Sequence, residues 1–245
     1  MFMPKLAMVA ALEREVWPLV KDWKVSEREY EGKKFKFFEE ADSVLVCGGI
    51  GAEAARRATE AVISLYKPNM VQSVGFAGAL DRSWKVGGIL MPSQVIDALD
   101  GSRVEIVNGE GVLISVAAIA SVEQKERLAK TYGAQAVDME AAAVAKGAEA
   151  RGLAFSAVKV ISDEIDFELP STDGFIDPDG QFRTGKFVGF VAVRPWLWGK
   201  VMRLWKNSSI ATNALCKFLA ERLKDKVQEL DNSGAEAHPI LKARI

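Results

Sequence analysis

A chain of 245 residues is long enough for one large domain with a substantial core, and 49% hydrophobic against 27% charged residues excludes a disordered or fibrous protein. Its 32 basic and 33 acidic residues leave a formal charge of −1, so bulk attraction to nucleic acid is not expected and no nucleic-acid partner is assigned. The single histidine, His238, lies in the polar tail Asp231–Ile245, which leaves no Ser-His-Asp triad, His-ligated zinc or His general base and hands acid–base chemistry to carboxylates.

Along the chain, MFMPKLAMVAALEREV is too short in its apolar part, and too charged after it, to read as a signal peptide. No run reaches the length of an apolar transmembrane helix, and two cysteines, Cys47 and Cys216, fit a reducing cytoplasm. Leu6–Leu12 reads as a buried strand and Glu13–Val20 as a helix. Lys33–Glu39 and Ser43–Cys47 are β-rich and pair across a turn near Ala41-Asp42. Gly48-Gly49-Ile50-Gly51 leads into a helix over Ala52–Tyr66, ended by Lys67-Pro68-Asn69. Met70–Phe76 is a core strand, with Gly87–Ile96 and Gly111–Ala118 as further strands. Val122–Tyr132 is a charged amphipathic helix, Gln135–Asp138 a strand, Glu140–Arg151 a helix and Leu153–Ile161 a strand. Pro195 starts a short helix, Trp196–Lys206, and Ser208 or Ser209 caps a last helix to about Val227. This alternation predicts a single α/β domain over residues 1–228 with a mixed central sheet flanked by helices, followed by a flexible tail over 229–245.

Ligands of open α/β sheets bind beyond the carboxyl ends of the strands. The sequences at those ends are Glu13-Arg14-Glu15, Gly49-Ile50-Gly51, Gly75–Ala79, Asp138-Met139-Glu140 and Ser162-Asp163. Each alone is equally well a turn or a helix cap; Glu140 suits a helix N-terminus electrostatically and Asp163 suits a cap.

Taken in order, Ala11–Val16, Gly49-Ile50-Gly51, Lys67-Pro68 running into Gly75–Leu80, Lys85-Val86-Gly87, Ala136–Ala141 and Ile161-Ser162-Asp163 resemble the purine nucleoside phosphorylase/nucleosidase superfamily. The branch most resembled is the 5′-methylthioadenosine/S-adenosylhomocysteine nucleosidases, over roughly residues 5–163. The resemblance implies a nucleoside phosphorylase-like fold and a reaction that passes through an oxocarbenium-like ribosyl cation. Asp163 matches the acid that protonates the purine at N7, with Ser162 orienting the base; Glu140 matches the group that binds ribose hydroxyls, and Met139 the one that packs on the sugar. Glu15 matches the activator of the attacking water. Glu13 stands two residues away, and Glu15 is favoured because it directly precedes Val16. Ile50 and Gly78 fall in the matching glycine turns. The resemblance calls for no cofactor and no metal, and it implies a homodimer.

Three departures stand out. The Gly75-Phe76-Ala77-Gly78 turn has Phe76 where a phosphorylase has a hydroxyl, and no cation precedes it, although Arg14 or Arg82 remain as replacements. The span from Gly87 to Asp138 is short, and the base-stacking aromatic is replaced near Ile119. Residues 175–206 form a basic, tryptophan-bearing insertion: Gly180 to Ala220 contains no acid, seven basic residues and three of the six tryptophans. Its helix suits either a cover for the core with snorkelling lysines or an interfacial contact with a membrane through 186–206. The short middle region resembles that of hopanoid-associated members, which act on an adenosyl lipid. The function implied is hydrolysis of the N-glycosidic bond of a 5′-substituted adenosine, in the cytoplasm or peripheral to the membrane's inner face. A phosphate-dependent phosphorylase and a non-catalytic, membrane-associated nucleoside binder are the rival readings.

Overall fold

The computed structural model describes residues 5–168, 173–175, 177 and 180–236. Strand β1 (Leu6–Ala10) is buried along its whole length. Leu6, Met8 and Ala10 face one layer and Ala7 and Val9 the other, the continuous apolar run of a strand covered on both faces. Helix α1 (Glu13–Val20) begins where a helix start was expected. Strands β2 (Lys24–Tyr30), β3 (Lys33–Glu40) and β4 (Ser43–Cys47) form an antiparallel meander, with Phe37 opposite Val46 across the expected turn. β2 carries no sequence expectation, because a half-exposed edge strand rich in Glu, Arg and Lys lacks the apolar alternation of a core strand.

Helix α2 (Ala52–Tyr66) ends at Lys67, whose φ of 52° stops the helix in the left-handed region. Strand β5 (Met70–Ala79) continues three residues past its predicted end, since Ala77-Gly78-Ala79 keeps pairing with neighbours on both sides. The strand expected over Gly87–Ile96 divides into β6 (Ile89–Leu90) and β7 (Gln94–Asp97). Pro92 lies between them and has no N–H for a ladder. β8 (Arg103–Glu105) and β9 (Val112–Ser115) precede α3 (Val122–Tyr132), which starts on a capping box of Ser121 and Gln124. Next come β10 (Ala136–Asp138), α4 (Ala141–Glu149) and β11 (Ala154–Asp163).

The strands form one mixed sheet in the order β2-β3-β4-β1-β5-β10-β9-β7-β8, with β11 between β5 and β6. β1, β4, β5 and β11 run parallel, so their carboxyl ends open on the same edge. β5 is the centre: β1 pairs its first half and β10 its last two residues on one side, while β11 pairs it from Met70 to Gly78 on the other. Helices α2 and α4 cover one face through Ala55, Ala58, Val62, Val144 and Ala148. Helix α1 and the last helix cover the other through Val16, Val20, Ala211, Leu215 and Leu219.

The C-terminal third departs most from expectation. A short 3-10 turn at Asp173–Phe175 and helix α5 (Thr184–Ala192) occupy the insertion, and α6 runs unbroken from Trp198 to Glu236. Two helices with a serine cap between them are replaced by one, because Ser209 Oγ donates to the Trp205 carbonyl inside the helix instead of capping a new one. The tail expected from residue 229 is therefore helical as far as Glu236; residues 237–245, His238 among them, lie outside the described residues. No helix among the described residues is long and apolar enough to cross a membrane.

Leu215 is fully buried against the sheet face that carries Met8, Leu45 and Val158. Leu215→Ala is expected to cost about 3 kcal/mol, as a buried leucine truncation does, read as a lowered midpoint in urea unfolding.

Candidate active site

A pocket opens over the last part of β5, Val74 to Gly78, and the carboxyl ends of β10 and β11, with β11 running parallel and β10 antiparallel to β5. All nine residues singled out from the sequence line it: Glu15, Ile50, Phe76, Gly78, Ile119, Met139, Glu140, Ser162 and Asp163. Chain segments separated by up to 150 residues meet there because β1, β5, β10 and β11 are neighbours in the sheet. Glu13 points elsewhere: its carboxylate takes both bonds from Lys36 Nζ at 3.0 Å, so Glu15 is the acid that the pocket receives.

Two glutamates occupy one wall. Glu15 is buried in the first turns of α1, and its Oε2 has no hydrogen-bond partner among the described residues. Burial, reinforced by the charge of Glu140, pushes its carboxyl up from 4.5 to about 8; Lys159, Arg14 and the Phe76 amide pull less strongly the other way. Glu140 Oε1 accepts from the Gly51 amide at 2.7 Å and Oε2 from the Met139 amide at 3.2 Å. Burial first, and Asp138 second, raise it to about 7. Gly75 makes the approach of Glu15 to β5 feasible: a Cβ there would lie 2.8 Å from Glu15 Oε2, and its φ of 144° already disfavours a side chain.

Asp163 lines the same pocket from the last position of β11. Its Oδ1 accepts from Ser162 Oγ at 2.7 Å, and its Oδ2 accepts from Lys125 Nζ. Lys125 also donates to the Glu164 carbonyl at 2.9 Å. Gly78 supports this pair from β5, since a Cβ would come within 2.9 Å of Asp163 Oδ2 and 3.3 Å of Lys125 Cε. A second lysine, Lys159, lies behind the glutamates with Nζ 2.9 Å from Asp138 Oδ2. Burial opposes its charge, but Asp138 and Glu140 outweigh that and raise its pKa. Asp138 is closed off by Ser115 Oγ at 2.5 Å and by the Ala141 amide at 2.9 Å, so it orients β10 and α4 without facing the pocket with a free oxygen.

Lys125 and Lys159 went unread in the sequence, yet both carry a signal. Lys125 shares a helical stripe with Leu128, Ala129 and Tyr132, which pack on the core, and Lys159 interrupts the otherwise apolar run Ala157–Ile161. A lysine on an inward face has to meet a carboxylate. The remainder of the lining is apolar, from Ile50, Phe76, Ile119, Val116 and Met139. Gly180 presses on Ile50, whose amide donates to the Gly180 carbonyl at 2.8 Å, and Arg14 stacks over the Phe182 ring at 5.3 Å. The insertion therefore abuts the pocket rim, where Phe175 and Phe182 both pack edge-on against Phe187. No cluster of metal-ligating side chains occurs among the described residues.

The family model described as the phosphorylase superfamily matches residues 5–121 and 106–181. A 5′-methylthioadenosine/S-adenosylhomocysteine nucleosidase of Staphylococcus aureus is 27% identical over 207 residues, covering 66% of this chain and 90% of that protein. Among solved structures, the nucleosidase of the same name from Helicobacter pylori with butyl-thio-DADMe-Immucillin-A superimposes with a TM-score of 0.68 at 19% identity, covering 92% of this chain and 100% of that one. Native futalosine hydrolase of Helicobacter pylori gives the same TM-score and identity over 91% of this chain and 98% of that one.

The raised glutamates have a thermodynamic signature. The folded chain holds a proton on Glu15 between its ordinary 4.5 and about 8, where an unfolded glutamate has lost it. The stability tied to that proton is complete below the lower value and is lost as pH rises through the window. Glu15→Gln removes this titration, so the fall in melting temperature between about pH 5 and about pH 9 is expected to be smaller in the variant than in the parent, measured by thermal melts across the range.

Proposed function

The chain belongs to the phosphorylase superfamily, and from that membership we propose that it hydrolyses the N-glycosidic bond of a 5′-substituted adenosine and releases adenine. The observation that carries this reading is the set of carboxyls lining one pocket: two raised glutamates, and Asp163 with its Ser162 hydrogen bond. A purine leaving group needs a proton where it departs, and a ribosyl cation needs negative charge and an activated water where it forms. Asp163 takes the acid role at N7, and Ser162 fixes its carboxyl. Glu140, anchored by two backbone amides, faces the ribose hydroxyls and supports the developing cation. Glu15, with one oxygen unclaimed, accepts a proton from the attacking water in its ionised form, the form that predominates above about 8. Met139, Phe76, Ile50 and Ile119 supply apolar contact to sugar and base.

Water is favoured over phosphate as the nucleophile by charge. The lysines that line the pocket, Lys125 and Lys159, are each held by an aspartate, and among the described residues no arginine lines it. A phosphate dianion would meet two glutamates with no uncommitted cation.

The 5′ substituent is not set by the fold, which is shared by neighbours named for different nucleosides. An adenosyl lipid is the substituent class favoured by the surface beside the pocket. Trp198, Met202 and Trp205 stand at i, i+4 and i+7 on α6 and are all exposed, Trp205 to 75%, with Trp196 and Val193 beside them. Trp205 thus belongs to the outward stripe, not with the half-buried Leu197, Val201 and Leu204. Arg194, Lys200, Arg203 and Lys206 flank the stripe, the pattern of a helix lying in an anionic lipid interface. The proposed membrane contact is this stripe.

Adenine release in phosphate-free buffer is the test: turnover of 5′-methylthioadenosine, S-adenosylhomocysteine or a lipid-linked adenosine without phosphate is expected, and strict dependence on phosphate would sink the hydrolytic reading. Asp163→Asn is expected to lower kcat by about 10²-fold or more, the contribution of a general acid. In co-sedimentation, vesicles with anionic lipid are expected to carry the protein down, and Trp198→Ala/Trp205→Ala to abolish this; binding unchanged in the double variant would refute the contact.

A further inference from the structure

Asp163 is not a lone carboxyl in an apolar shelter. Lys125 reaches it from α3, across the pocket from β11, and the two side chains are 2% and 6% exposed. An ammonium on the inward face of a helix is retained only where its charge is met. Two of its three N–H groups go to Asp163 Oδ2 and the Glu164 carbonyl, and the carbon stem lies against the backbone of Gly78. Ser162 occupies the other oxygen of Asp163. The carboxyl is thereby fixed at both oxygens, and a lysine proton lies next to the oxygen that faces it.

We propose that Lys125 is the positioning and proton-supplying partner of Asp163, so that the acid of this site is the Asp163–Lys125 pair and not the aspartate alone. This rests on the nucleosidase reading given above. In the step, the C1′–N9 bond breaks and its electron pair leaves with the purine. The proton on Nζ passes to Asp163 Oδ2 and from there to purine N7. Water forms the new bond to C1′ and gives its proton to Glu15. The pair ends one proton short and Glu15 one proton richer, and exchange with solvent resets both; the sum is the addition of one water across the glycosidic bond. Lys125 acts through Asp163 and need not touch the sugar. The same pair offers a purine edge one donor and one acceptor, which matches N7 and the 6-amino group of adenine and mismatches a 6-oxopurine, whose two groups there both accept.

The test separates proton supply from structure by the leaving group. Lys125→Met is expected to lower kcat on 5′-methylthioadenosine by about 10²-fold, as loss of acid catalysis does, while the 4-nitrophenyl glycoside of 5-methylthioribose, whose leaving group departs without a proton, is expected to lose only a few-fold. Lys125→Arg, whose guanidinium keeps the charge beside Asp163 but does not give up a proton, is expected to stay as slow on the nucleoside as Lys125→Met. Lys125→Met/Asp163→Asn leaves no unpaired buried charge, so it keeps the test open if the single variant fails to fold; it is expected to be no slower than Asp163→Asn. Equal losses on both glycosides, or multiplicative losses in the double variant, would overturn the proposal. Calorimetry with adenine distinguishes its failure from that of the nucleosidase reading. Adenine bound equally well by Lys125→Met overturns the pair. A parent that binds adenine through Lys125 yet cleaves neither glycoside overturns the nucleosidase reading and leaves the pair supported.

Discussion

The burial of four carboxylates against two lysines is the constraint around which this molecule is arranged. Glu15, Asp138, Glu140 and Asp163 are gathered around one pocket, and among the described lysines only Lys125 and Lys159 line it with them. A buried charge persists only when paired and hydrogen-bonded. The two aspartates take the two lysines. The two glutamates are left to be accommodated by protonation, which is why burial drives both upward while the ion pairs remain. The ion pairs are fixed, while the two glutamates are poised near neutral pH. An acid–base reaction needs that asymmetry, and no histidine is required to produce it.

Backbone makes this crowding feasible. β5 lies between β1 and β10 on one side and β11 on the other, and it presents glycine at the two points where an acid comes closest: Gly75 under Glu15 and Gly78 under Asp163. A methyl group at either would sit within 3 Å of a carboxylate oxygen. The alternation Gly75-Phe76-Ala77-Gly78 is thus read twice, as a strand that holds the sheet together and as a floor thin enough for the site. The same economy holds at Gly51, whose amide anchors Glu140 while its φ of 94° turns the chain into α2.

Most of this was legible where a local pattern coincides with a tertiary role. The core strands and α1 to α4 follow periodicity; eight of the nine pocket residues come from segments expected at strand ends, where such sheets bind ligands, and Ile119 came from the family resemblance. β8 and α5 carried no sequence expectation, and three further features were not legible for physical reasons. β2 is an edge strand whose exposed charges hide its alternation. The break in α6 expected at Ser208 did not occur, because a serine that bonds back to the preceding turn is compatible with a helix. Lys125 and Lys159 were masked by their type: on a helix dense in Lys and Glu, one more lysine reads as solvated, and only its register with Leu128 and Tyr132 distinguishes it.

The long helix ties these observations into one mechanical object. Its middle, at Ala211, Leu215 and Leu219, is fixed in the core against β1 and β11. Its first turns carry Lys200 to Glu168, and Arg203 to Glu164, the residue that follows Asp163 and whose carbonyl receives Lys125. Arg203 also lies over the Phe167 ring at 4.9 Å. The exposed tryptophan stripe therefore begins one side chain away from the segment that holds the acid of the site. An interface that engaged Trp198, Met202 and Trp205 would load the same turns that Lys200 and Arg203 tether to Glu168 and Glu164. Separating the stripe from those tethers would take a break in the helix, and α6 has none between Trp198 and its core anchor.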